Sequence, residues 1–208
     1  MEFIVIAVLA YLIGSIPTAF LAGKVRGLDI RQVGSGNSGA TNALRVLGPA
    51  VAIAVLAVDA GKGALSVLAL APLAARAPDA LPTARIVAGT ACILGHVFPA
   101  WLRFKGGKGV ATGAAVVAAL APKAAVACLA LFIVAVVLAR YVSLGSIAAA
   151  IALPAAYAGL YRGEAFSARL FWFFVAAAAL VVVMHRKNIG RLAAGTESRL
   201  GEQKRPVT

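Results

Sequence analysis

Residues 3–23 read FIVIAVLAYLIGSIPTAFLAG, without a single charge. As a helix this run is roughly 32 Å long at 1.5 Å per residue, enough to cross a hydrocarbon core of about 30 Å. Pro17 lies inside it and is expected to kink it. Only Glu2 precedes the run, whereas Lys24, Arg26 and Arg31 follow it. Positive charge favours the cytoplasmic side, so the N-terminus is expected outside and the next segment inside. No basic stretch precedes the run, so it reads as a retained span and not a cleaved leader. Composition extends this reading to the whole chain. Of 208 residues, 62% are hydrophobic and 13% charged, against about 25% charged in soluble domains. The apolar runs are continuous and not alternating, which argues against a β-barrel. The expected fold is an all-α, polytopic integral membrane protein, with residues 1–208 forming a single membrane-embedded domain. The net charge of +13 is accounted for by topology and by anionic ligands, without nucleic acid.

Outward from the first run, further apolar stretches follow at Pro49–Ala71, Thr83–Leu102, Val110–Ala121, Pro122–Ala139, Val142–Leu160 and Leu170–Met184. Residues 72–82, with Pro72, Pro78 and Pro82, read as an external loop, and Pro154 as a break in the sixth stretch. Val110–Ala121 is short enough to be re-entrant. The tail decides the count. From about residue 185 it is strongly basic, with Arg186, Lys187, Arg191, Arg199, Lys204 and Arg205, and so is expected in the cytoplasm. An external N-terminus and a cytoplasmic C-terminus require an odd number of crossings. Seven transmembrane helices satisfy this, one of them short and shielded by neighbours or by local thinning.

This topology puts two glycine-rich polar stretches and the tail on one side of the membrane. The first is Gly34-Ser35-Gly36-Asn37-Ser38-Gly39-Ala40-Thr41-Asn42, followed by Arg45. Its glycines allow positive φ, and its hydroxyls and amides can donate to one point, as in an anion nest. The same composition fits a flexible polar turn. The second is Lys105-Gly106-Gly107-Lys108-Gly109, a pliable backbone with ammonium groups. It is not a nucleotide-binding P-loop, because Gly109 and not Ser or Thr follows Lys108. Asp59 and Lys62 sit three apart within a span and can meet on one helical face, as a structural pair or as the wall of a site. His96 reads as a hydrogen-bonding brace ahead of Pro99. Neither His96 nor His185 begins an H-x-x-x-x-D motif, since Trp101 and Gly190 fill the last position. The few acidic residues cannot form the carboxylate clusters that hold Mg²⁺. Cys92 and Cys128 read as packing residues, and no metal is expected.

These motifs resemble the bacterial acyl-phosphate:glycerol-3-phosphate acyltransferases, the PlsY family. The resemblance is carried by Gly34–Asn42 with Arg45, by Gly95-His96, Pro99 and Phe104 to Thr112, and by His185-Arg186-Lys187-Asn188-Ile189-Gly190-Arg191-Leu192 with Gly195 and Glu197. It runs from Gly14-Ser15 to about Glu197. The middle motif departs: where the family tends to read Leu-Asp-x-x-Lys-Gly-x-x-Pro, Val58 and Ser66 replace the Leu and the Pro, while Asp59, Lys62 and Gly63 are kept. The resemblance implies a bacterial inner-membrane enzyme of phospholipid synthesis with a cytoplasmic active site. It would move a fatty acyl group from acyl phosphate to the 1-hydroxyl of glycerol 3-phosphate, releasing lysophosphatidate and phosphate, with no cofactor and without a His–Asp dyad. It assigns Ser35, Asn37, Thr41 and the amides around Gly34, Gly36, Gly39 and Asn42 to the acyl-phosphate head. Arg45, Lys105, His185 and Asn188 go to the phosphate of glycerol 3-phosphate. Gly106, Gly107, Lys108 and Gly109 would shape the shared wall, and Asp59, Lys62, His96, Thr112 and Glu197 would support it. The proton acceptor would be the donor's own phosphate, with His185 as the rival. Apart from its substrates and lipid, no partner is implied, and a monomer is expected. The alternative class, a transporter of a phosphorylated metabolite, usually carries repeated halves, and no repeat is evident.

Overall fold

The structure, a computed structural model, describes residues 1–75 and 77–202; Lys204 and Arg205 of the tail lie outside the described residues. The helices are α1 (Glu2–Gly14), α2 (Thr18–Val25), α3 (Ala40–Leu47), α4 (Pro49–Leu65), α5 (Ala71–Ala74), α6 (Leu81–Val97), α7 (Val110–Leu120), α8 (Pro122–Ala139), α9 (Val142–Leu160), α10 (Ala168–Met184) and α11 (Arg186–Ala193). A π-helical segment, Ser66–Leu70, joins α4 to α5. Five segments are long and apolar enough to cross a membrane: Glu2–Val25, Pro49–Ala74, Pro78–Leu102, Pro122–Ala139 and Val142–Leu160. A sixth arises if α10 and α11, bent by 57° at His185, count as one. The protein is thus an all-α, multi-pass membrane protein. Helix α7, with eleven residues, is shorter than these.

Several sequence expectations are corrected in detail. Pro17 does more than kink the first span: α1 stops at Gly14 and α2 starts at Thr18. Proline has no N–H to continue the ladder, and the amide of Thr18 bonds Ile16 O, leaving Gly14 O without its usual i+4 donor. The expected external loop at 72–82 is much shorter. Pro72 and Pro82 sit in the first turns of α5 and α6, where the missing N–H costs nothing. Pro154 does not break α9, which runs through it from Val142 to Leu160. The polar segment after the first span is not all turn, since α3 forms within it, and Arg186–Ala193 of the basic tail is helical.

The chain divides into two compact units, Met1–Pro122 and a second beginning at Lys123. In the first, backbones approach closely at glycines. A methyl group at Gly14 would overlap the carbonyl of Cys92, and one at Gly95 the carbonyl of Tyr11, so α1 and α6 pack almost backbone to backbone. Gly63 does the same against Thr112 between α4 and α7. Small residues suit such contacts where lipid offers no hydrophobic drive between helices. The buried cluster of Ile6, Ala10, Ala71, Ala74, Ala84, Ala88 and Cys92 follows that rule. In the second unit α9 packs against α10, and Tyr157 gathers Tyr161, Phe166 and Phe174 at 5.0–5.6 Å. Helix α8 exposes Val126, Leu129, Ile133, Val137 and Leu138, as a lipid-facing helix would.

Candidate active site

The Gly34–Asn42 stretch is a fixed curl. Gly34 and Gly36 take positive φ, 66° and 70°, and a side chain at Gly34 would also run into Asn42 Oδ1. Asn42, in the first turn of α3 and buried, braces the curl from inside. Its Oδ1 accepts from Ser35 N at 2.8 Å, and its Nδ2 donates to Ile30 O at 3.0 Å and Val33 O at 3.1 Å. Asn42 therefore holds the loop with all three of these bonds. Ser35 and Arg45 are exposed, Asn37, Gly39 and Thr41 half-buried, and Ser38 buried. Asp29 anchors the approach to the curl by accepting from Arg31 N and pairing with the guanidinium at 2.7 Å. Arg31 in turn stacks over Phe20 at 4.7 Å. The hydrogen bond from Arg31 holds the Asp29 carboxyl down at about 2.

The second glycine-rich loop folds back on the end of α6. Gly106 N donates to Val97 O and Gly107 N to His96 O, both at 3.1 Å. A methyl at Gly106 would overlap His96 O, and one at Gly107 would overlap Nε2 of the same ring. Only glycine lets this turn lie flat against His96. Arg103 and Phe104 reverse the chain with φ of 52° and 59°, which leaves Lys105 exposed and Lys108 half-buried. Gly109 takes φ 76° at the start of α7.

A buried polar cluster lies behind this turn. Lys62 Nζ pairs with Asp59 Oδ1 at 2.8 Å, both side chains being under 5% exposed. The ammonium also reaches Gly14 O at 3.2 Å, Ile16 O at 3.0 Å and His96 Nδ1 at 3.3 Å. Thr18 Oγ1 donates to Asp59 Oδ1 at 2.9 Å, and Thr112 Oγ1 to Asp59 O at 2.8 Å. The break in the first span thus leaves Gly14 O without its backbone donor, and Lys62 supplies one while adding a second bond to Ile16 O, which already accepts from Thr18 N. In front of the cluster is a small, open cleft, lined by Ser15, Thr18, Ser38, His96, Gly106 and Gly107 among others. Ser15 is fully buried, and its Oγ has no hydrogen-bond partner among the described residues.

In the second unit the basic tail is organised by Glu197. Its Oε1 accepts from Ser143 Oγ at 2.7 Å and Asn188 Nδ2 at 2.6 Å, and its Oε2 from Arg191 Nε at 2.6 Å. Burial alone would raise the Glu197 carboxyl, but these three bonds and the Arg191 charge hold it below its ordinary value. His185 is buried at the bend between α10 and α11, 2.8 Å from Val181 O through Nδ1. A carbonyl only accepts, so Nδ1 carries a proton and only Nε2 could take another.

The structure therefore gathers Asp59, Lys62, His96, Thr112, Gly106 and Gly107 around one cluster, and Asn188 with Glu197 around another. Sequence reading gave Thr18 and Ser143 no mention, and gave Ser15 and Arg191 no role beyond their place in the motifs and the basic tail. Ser15 and Thr18 flank an intraspan proline, where freed backbone needs polar neighbours, and that was their available signal. Ser143 is a small hydroxyl in an apolar run and gave none.

The family described as glycerol-3-phosphate acyltransferase matches residues 4–195. The chain belongs to the glycerol-3-phosphate acyltransferase family. Glycerol-3-phosphate acyltransferases of Synechococcus sp. (strain CC9902) and Trichlorobacter lovleyi are 44% and 48% identical to it. The alignments cover 94% of each chain in the first case, and 91% of this chain and 93% of the relative in the second. Among solved structures it resembles PlsY (YgiH), an integral membrane glycerol 3-phosphate acyltransferase, in its glycerol 3-phosphate form. The TM-score is 0.84 at 35% identity, over 97% of this chain and 96% of that one. The lysophosphatidic acid form matches with a TM-score of 0.82 at 34% identity, with the same coverage. As a member of this family the chain is a membrane-embedded acyltransferase.

Proposed function

We propose that the protein transfers a fatty acyl group from acyl phosphate to the 1-hydroxyl of glycerol 3-phosphate, releasing lysophosphatidate and inorganic phosphate. The observation that carries this reading is the near full-length likeness to PlsY in its glycerol 3-phosphate form. The fixed curl at Gly34–Asn42 supports it, being the kind of preorganised donor array an anionic head needs. Acyl phosphate is already activated, so no enzyme nucleophile is required. The acceptor oxygen attacks the carbonyl carbon, the carbon–oxygen bond to phosphate breaks, and the departing phosphate takes the hydroxyl proton. The protein's tasks are alignment, for which positioning can supply up to roughly 7–11 kcal/mol, and stabilisation of charge on the tetrahedral centre and leaving phosphate.

In this reading Ser35, Asn37, Thr41 and the curl's amides hold the acyl-phosphate head, with Asn42 keeping the curl in shape. Gly106–Gly109 with Lys108 form a phosphate-binding turn. Arg45, Lys105, His185 and Asn188 are assigned to the acceptor phosphate from the resemblance of their motifs. Residues 1–208 act as one acyltransferase domain in the bacterial inner membrane. It has seven crossings, α7 being the short one, with an external N-terminus and cytoplasmic polar loops and tail. The protein needs neither metal nor cofactor and works as a monomer. The test is phosphate release from palmitoyl phosphate by purified protein in metal-free buffer, dependent on glycerol 3-phosphate. Absence of lysophosphatidate among the products would refute the proposal.

A further inference from the structure

We propose that Lys62 is a positioning residue that fixes the tautomer of His96 and, through it, the shape of the Gly106–Gly107 turn. The chain of contacts is continuous. The ammonium sits between Gly14 O, Ile16 O, Asp59 Oδ1 and His96 Nδ1. Its three N–H groups serve four acceptors, so one is shared between the two longer contacts, Gly14 O at 3.2 Å and His96 Nδ1 at 3.3 Å; an ammonium only donates, so the Nδ1 that faces it is an acceptor and the ring proton lies on Nε2. Asp59 Oδ1 is farther from Nδ1, at 3.7 Å, beyond hydrogen-bond length. The charged and titratable groups of this cluster are thus Asp59 and Lys62 on α4, facing His96 on α6. The Nε2 edge of the ring abuts Gly107, and the His96 carbonyl accepts that residue's amide. One edge of His96 thus meets Lys62, and the other lies beside the turn. The cleft lined by Ser38, His96, Gly106 and Gly107 then receives an N–H donor from the imidazole. A charged lysine in a span is costly unless it is paired. Here its partners come from the broken first span, α4 and α6, so one group sets the register of three segments behind the turn.

The proposal rests on the reading of the Gly106–Gly109 turn as a phosphate site, and its test separates the two. The chain holds two histidines, His96 and His185, so ¹⁵N-histidine labelling of the full chain in lipid nanodiscs gives two imidazoles, which the His185→Gln variant assigns. In the wild-type protein His96 is expected with a protonated Nε2 and an unprotonated Nδ1. A protonated Nδ1 overturns the positioning role with no variant needed. In Lys62→Met, and in Asp59→Asn/Lys62→Met where no unpaired charge remains, the tautomer is expected to become mixed or reversed. The value of kcat/KM should fall roughly 10- to 100-fold, as misplacement of a binding turn would require. An unchanged tautomer in the folded double variant also overturns the role, whereas a merely structural lysine would move stability and leave the tautomer alone. In protein labelled with ¹⁵N-glycine, titration with glycerol 3-phosphate and with palmitoyl phosphate should shift the Gly107 amide, which Gly107→Ala assigns. The expected tautomer with no shift from either compound refutes the phosphate reading of the turn, and with it the catalytic half of the proposal.

Discussion

Replacing Asn42 with alanine tests whether the first polar stretch is a preorganised donor array. The side chain makes three bonds, to Ser35 N at 2.8 Å and to Ile30 O and Val33 O at 3.0 and 3.1 Å. Each contributes about 1 kcal/mol net, and more where a buried partner is left unpaired. Their joint loss is therefore on the order of 3 kcal/mol, charged almost wholly to the order of residues 30–39. If the curl must be in shape to hold the donor head, that cost appears in the transition state. At about 1.4 kcal/mol per tenfold, kcat/KM should fall roughly 100-fold. Asn42→Asp is the control: a carboxylate can still accept from Ser35 N, but it meets two carbonyls where the amide donated. It should not recover activity. The assay is phosphate release from palmitoyl phosphate with glycerol 3-phosphate, beside hydrogen exchange at residues 33–39. Faster exchange should accompany the loss of rate. Wild-type kinetics in a variant whose curl exchanges faster would refute the claim that the curl needs preorganisation. Unchanged exchange would refute the brace itself.

Gly107→Ala should cost roughly 5- to 150-fold in kcat/KM, because its methyl overlaps the His96 ring and overpacking costs about 1–3 kcal/mol; combining it with His96→Ala should relieve the clash and raise the thermal midpoint without restoring the rate, since the ring behind the turn is gone. Glu197→Ala leaves Ser143, Asn188 and Arg191 without their shared acceptor, so the thermal midpoint should drop by several degrees. Since the Glu197 carboxyl is held below its ordinary value, its contribution is present above the unfolded-state pKa and is lost as pH falls through the lowered one; a melting profile that steepens on acidification in the wild type but not in Glu197→Gln would show it. Carboxyl-carbon NMR should find Asp29 titrating near 2, so the Asp29–Arg31 clasp persists through mild acid and opens only below the usual carboxylate range. Asp29→Asn should abolish that transition.

The membrane-spanning class was legible because a hydrocarbon core imposes length and continuity on every crossing, and the apolar runs carry both. Prolines were harder. The same residue type breaks the first span at Pro17, starts helices at Pro72 and Pro82, and passes unnoticed at Pro154. What differs is whether neighbours satisfy the freed backbone groups, and that depends on residues distant in sequence. Glycine-rich polar stretches were legible as loops between apolar runs, and in the structure both form tight turns with glycines at positive φ. Which side chains within them brace and which face outward was not legible. Asn42 reads as one more donor in sequence, yet its partners are backbone groups of Ile30, Val33 and Ser35. Ser143 reads as part of an apolar run, yet its hydroxyl donates to Glu197 across 54 positions.

The same logic unites three features that look separate along the chain. A break in a membrane helix leaves carbonyls that hydrocarbon cannot satisfy. A lysine can satisfy them, but a buried ammonium requires a counter-charge, and Asp59 stands one turn away. The desolvation cost of such a pair often exceeds its Coulomb gain, so the pair is a poor device for stability alone. It becomes a sound one when the ammonium has further work: here the freed carbonyl of Gly14, the carbonyl of Ile16 beside the break, and the imidazole of His96. Pro17, Asp59 and Lys62 are in this sense a single structural element. The break creates the acceptors, the lysine fills them, and the aspartate makes the lysine tolerable. Their common product is a histidine held rigidly behind a glycine turn that has no side chains of its own with which to hold its shape.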